Sequence, residues 1–180
     1  VYSGIDDGGN RFSQIFFASG GMGASPVADG HSCTAFPTNS GSGSIEAFES
    51  LAPLLVWKKE FRTDSGGAGE FMGGLGQEVE IEITAEDDVR LSMMSDRQKY
   101  AAKGLLGGME GAKVEIVKSD GTKPHPKARS VLAPGDKLTL RFGGGGGYGP
   151  PNARDPKAVQ NDLRNGYITA EYAKRHYGIE

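Results

Sequence analysis

Cysteine is almost missing from this chain: Cys33 is the only one in 180 residues, so no intrachain disulfide can form and a reducing compartment is expected. No run approaches the roughly 18 consecutive apolar residues of a membrane-spanning helix. No signal-peptide pattern opens the sequence, and a cytoplasmic location is the expectation. Excess charge is also lacking. The net charge of −3 and pI of about 5.7 argue against nucleic acid as a main partner. Histidine is scarce, with His31, His125 and His176 the only three, so general bases are few. Trp57 is the one tryptophan, which leaves poor stacking platforms for a carbohydrate-binding sandwich.

Glycine, in contrast, is abundant: 29 residues, about twice the usual share of roughly 7%. Six of them fall in the fifteen residues Arg62–Gly76 (Arg-Thr-Asp-Ser-Gly-Gly-Ala-Gly-Glu-Phe-Met-Gly-Gly-Leu-Gly). That density excludes a helix and an ordinary strand, and it marks places where another backbone comes very close. An ordered, compact loop between two strands is expected. A second run, Gly143–Gly147, invites a phosphate-loop reading. It lacks the Gly-Lys-(Ser/Thr) ending, and Pro150-Pro151 follow it, so close backbone packing or a subunit contact is the better expectation.

Taken in order, residues 1–11 read as a turn or frayed segment, and Phe12–Ala18 as a buried strand. Ile45–Leu51 reads equally as a helical turn or two or as an irregular strand. Leu54–Phe61 reads as a strand. Val79, Ile81 and Ile83 alternate with Glu78, Glu80 and Glu82, the period of a strand with one buried face. Val89–Met94, Lys113–Lys118 and Lys137–Phe142 are further strands, and the proline-punctuated stretch between the last two is a loop. Strands at this spacing between Gly/Pro turns indicate an antiparallel sandwich or barrel-like body. Asp155-Pro156 supplies an N-cap and a first-turn proline, Thr169 starts a second helix, and Gly178 ends it. The expected fold is therefore α+β and β-rich, with glycine-rich loops and two short C-terminal helices. Residues 1–151 form the β-rich domain, and 152–180 a helical tail packed on it.

Candidate chemistry is thin. His31-x-Cys33 with Asp29 could begin a zinc site, but structural zinc takes four ligands. Ser65 lacks the nucleophile-elbow pattern, and a Ser/Asp turn that caps backbone amides suits it better. Arg62 with Asp64, and Asp96 with Arg97, suit charge-assisted pairs that lock loops. Charge is unevenly spread, with eight acidic residues and no Lys or Arg across Asp64–Asp88, and seven Lys/Arg against three Asp/Glu across Lys113–Arg141. Solvated strand faces account for this, and a complementary contact with a partner protein is the alternative.

The run Arg62-x-Asp64-Ser65-Gly66-Gly67-Ala68-Gly69-x-Phe71-x-Gly73-Gly74-Leu75-Gly76 resembles the hydantoinase B/oxoprolinase family. So, in the same order, do Gly20-Gly21-Met22-Gly23-Ala24 with Asp29-Gly30; Thr38-Asn39 with Ile45-Glu46 and Glu49; Ser95-Asp96-Arg97 with Gly104-Leu105-x-Gly107-Gly108; and Gly144–Gly149 with Asp155-Pro156 and Tyr177-Gly178. Ser42 and Ser44 depart from the asparagine and proline of that pattern. The resemblance covers nearly all of this chain but only the C-terminal third or so of a hydantoinase B-type subunit.

It implies a subunit that works with a hydantoinase A-type partner in ATP-dependent opening of a cyclic amide such as hydantoin or 5-oxoproline. Carboxylation of a ketone by a related hetero-oligomer, or a non-catalytic assembly role, are the alternatives. ATP and Mg are expected on the partner, and a divalent metal in the N-terminal portion of such subunits. Asp29, His31, Asn39, Arg62, Asp64, Asp96 and Arg97 are the substrate-site or interface candidates. No metal site and no catalytic residue is assigned within these 180 residues, and the piece alone is expected to be inactive.

Overall fold

The computed structural model describes residues 1–36, 38, 40 and 42–179. Eight strands form two four-stranded antiparallel sheets. In the first, β2 (Arg11–Gln14), β1 (Tyr2–Ile5), β5 (Val89–Ser92) and β7 (Arg129–Leu132) lie in that order. In the second the order is β3 (Leu54–Phe61), β4 (Gln77–Ile83), β8 (Lys137–Arg141) and β6 (Glu115–Lys118). The apolar side of each sheet faces a shared core in which Val79, Ile81, Val89, Leu132 and Leu138 are wholly buried.

β4 shows why the pattern folds this way. Its three apolar residues enter the core, and its three glutamates face out, where neighbouring strands supply cations. Glu78 meets Lys58 of β3 at 3.1 Å and Arg141 of β8 at 3.3 Å, and Glu82 meets Lys137 at 3.5 Å. These strand acids thus find their basic partners inside the second sheet, as cross-strand pairs. A register shift between Val56 and Lys58 interrupts the β3–β4 ladder at Trp57, which is exposed and donates its indole N–H to Glu82.

Three local expectations are corrected. Residues 2–5 are a strand, closed into a hairpin by the Asp6–Asn10 turn, where the Asp6 carboxylate accepts from the amides of Gly8 and Asn10. The strand expected over 12–18 stops at Gln14, because Gln14 is the last residue with a partner, Tyr2; beyond it Ile15 and Phe17 are exposed. Arg129–Leu132, expected as loop, is a strand because β5 offers it a free edge. The ambiguous stretch is helix α1 (Ile45–Leu51), N-capped by Ser44, with Phe48 buried edge-on against Tyr2 and Phe16.

The glycine-rich segments form neither sheet nor ordinary loop. Stretches 20–24, 29–34, 65–76, 102–111 and 143–149 run side by side, nearly all outside any strand ladder, and hydrogen-bond to one another through their backbones. Gly145 N donates to Gly74 O (2.9 Å), Gly74 N to Met22 O (2.9 Å), Gly67 N to Gly145 O (2.8 Å) and Gly21 N to Gly143 O (3.0 Å). A methyl group on Gly145 would overlap the Met22 carbonyl, and one on Gly21 the Gly74 carbonyl. The segments therefore approach so closely that a Cβ does not fit between them, the same reason glycine is required at the crowded axis of collagen.

Two helices close the bundle. In α2 (Pro156–Arg164) the Asp155 carboxylate caps Lys157 N, and in α3 (Ala170–Tyr177) Thr169 caps the start while Gly178, at φ 68°, ends it. Val159, Ile168 and Ala173 bury Met72 and Leu75 of the glycine stretch in a second apolar cluster. No described helix is long and apolar enough to cross a membrane.

Candidate functional site

The candidates named by sequence divide into those that fasten the glycine bundle and those that line hollows beside it. Asp29 does both, since beside its fastening contacts it lines a hollow of about 310 Å³ with Glu70, Phe71, Arg154 and Ala158. Its Oδ1 accepts from Met72 N (2.6 Å) and Arg154 Nη1 (2.7 Å), and its Oδ2 from Arg154 Nη2 (2.8 Å). Arg154 also donates to Asp162 Oδ2 at 2.7 Å and to the Glu70 carbonyl at 3.2 Å. This guanidinium is almost fully buried, so it clamps α2 to the bundle through two carboxylates. Burial pushes the Asp162 carboxyl above its usual range, against the pull of Arg154. Sequence reasoning missed Arg154 and Asp162: a lone arginine beside a helix cap and an aspartate inside a helix carry no signal of what they face.

Arg62 and Asp64 do not pair with each other. The Arg62 guanidinium donates to the carbonyls of Lys113 (2.6 Å), Phe142 (3.3 Å) and Arg141 (3.4 Å), which ties the central stretch to the end of β8. Asp64, at φ 61°, accepts from Thr169 N (2.7 Å) and Thr169 Oγ1 (2.8 Å), holding the start of α3. Ser65 is buried; its hydroxyl donates to Arg62 O and accepts from Gly76 N (2.9 Å). That is the amide-capping role of a turn residue, and it occupies the hydroxyl.

His31 is exposed, and its backbone carbonyl receives Met22 N. Cys33 donates its thiol to Leu75 O, and burial pushes that thiol up to about 11, with Lys59 pulling weakly the other way. Among the described residues no group of three or more His, Cys, Asp or Glu is placed to hold a metal ion. Asn39 lies outside the described residues.

The phosphate-loop reading of Gly143–Gly147 is answered by its amides. Gly145 N and Gly147 N are committed to the carbonyls of Gly74 and Met109, and all five glycines are buried. Amides spent on neighbouring backbone in this way do not form an outward-facing cradle for phosphate.

Asp96 and Arg97 lie apart from the clamp. With Ser95, Met94 and Thr34 they line a hollow of about 310 Å³ whose other wall is Gly20, Gly21, Gly143 and Gly144. Asp96 pairs with Lys127 (2.6 Å) rather than with Arg97. Arg97 is exposed and holds a left-handed backbone at φ 59°.

Two sheets, an interleaved glycine bundle and a buried Arg–Asp clamp define a class of chain that comparison with known proteins identifies. The chain belongs to the hydantoinase B/oxoprolinase family, whose description "Hydantoinase B/oxoprolinase" matches residues 1–151. It is 33% identical to the beta chain of the caprolactamase of Pseudomonas jessenii over 150 residues, which is 77% of this chain and 25% of the relative. It is 32% identical over 151 residues to the B component of a putative D-/L-hydantoinase of a Pseudomonas species, covering 78% of this chain and 24% of that one. The solved structure of the ATP-dependent caprolactamase from Pseudomonas jessenii superposes with a TM-score of 0.83 at 26% identity, over 99% of this chain and 33% of that chain. The chain thus spans about a quarter of the length of these two curated relatives.

Proposed function

We propose that this chain is the C-terminal portion of a hydantoinase B-type subunit that acts with an A-type, ATP-binding partner to open a cyclic amide. Membership of the family supports the reading, as does the amide chemistry named for the caprolactamase and hydantoinase relatives. The observation that carries the role of this portion is the commitment of its polar residues. Asp29, Arg62, Asp64 and Ser65 all hold backbone or ion-pair partners, so they build the scaffold rather than supply a nucleophile or base. ATP and Mg are assigned to the partner, and the hollow at Asp96 and Arg97 is the surface this portion contributes toward substrate or partner.

Affinity purification of the natural gene product under native conditions tests this, followed by ADP release with hydantoin, 5-oxoproline, caprolactam and acetone in turn. Co-purification of an ATP-binding partner and ADP release that depends on a cyclic amide is the expected result. ADP release with acetone and bicarbonate alone would point to the carboxylase branch. An intact complex in which Arg97→Gln leaves every kinetic constant unchanged would reduce this portion to assembly.

A further inference from the structure

We draw no further inference here: the strongest candidate, the hollow beside Arg154 lined by the acidic cluster Asp29, Glu70 and Asp155, carries nothing because the guanidinium is already held by Asp29, Asp162 and the Glu70 carbonyl, its remaining Nε is itself buried, and no second observation among the described residues points to a ligand there.

Discussion

Arg154 is 3% exposed at its side chain and Asp162 8%, whereas Asp29 keeps 45% exposure at the other end of the same clamp. The two carboxylates therefore differ in what they lose when the guanidinium goes. Asp29 can rehydrate and still accept from Met72 N, but Asp162 is left as a charge with neither water nor a cation. Breaking a buried pair from one side costs about 3–5 kcal/mol, most of it the stranded partner. Arg154→Ala is expected to lower the unfolding free energy by about that much in urea titrations followed by circular dichroism, and Asp29→Asn by only about 1 kcal/mol. Adding Asp162→Asn to Arg154→Ala should recover part of the loss, since it removes the stranded charge. A double variant no more stable than the single one would show that packing of the arginine stem, not charge burial, is the main term.

At the scale of elements, the glycine bundle replaces side-chain packing with backbone contact. Its stability rests on amide–carbonyl bonds between segments far apart in sequence, such as Gly145 N to Gly74 O, and on the absence of any Cβ between them. Gly145→Ala places a methyl against the Met22 carbonyl, and neither main chain can move without breaking its neighbours' bonds. A loss of at least about 3 kcal/mol is expected, at the upper end of ordinary overpacking because the obstacle is backbone. Gly43→Ala is the control: no atom lies within 4 Å of the added methyl, and a change within about 0.5 kcal/mol is expected. Thermal unfolding of the two variants separates them, and similar midpoints would sink the crowding argument. The same physics explains what was legible in the sequence. β4 announced itself because one face meets core and the other meets water and lysines, so its period is written in residue type. The bundle announced only its glycines, since contacts made by backbone atoms leave no pattern that says which segment touches which. The polar residues around it were legible as positions and not as tasks. Asp64 and Arg62 were expected to face each other, yet each reaches across about 50 to 100 residues to cap a helix start or a strand end.

For the whole molecule the question is how the two apolar clusters depend on each other. The sandwich core draws on residues no later than Leu140 for its buried members, whereas the second cluster joins Met72 and Leu75 to Val159, Ile168 and Ala173. The family match ends at residue 151, but the caprolactamase structure superposes on 99% of the chain, so the two terminal helices belong to the shared fold. We propose that residues 152–180 act as a clasp on the bundle rather than as part of the sandwich. Each large apolar side chain uncovered by removing them forfeits about 1.5–3 kcal/mol of burial, and the Arg154 clamp and the Asp64–Thr169 cap go with them. Truncation after Pro151 is therefore expected to speed hydrogen exchange at Gly67, Gly73 and Gly145 by about 100-fold or more, while the amides of Val79 and Ile81 stay protected. Glycine has no side chain with which to make good a lost cover, so the bundle should open before the sheets do. If β4 loses its protection together with the glycine amides, then the sandwich cannot stand without the helices, and the chain folds as a single cooperative unit with no boundary near residue 151.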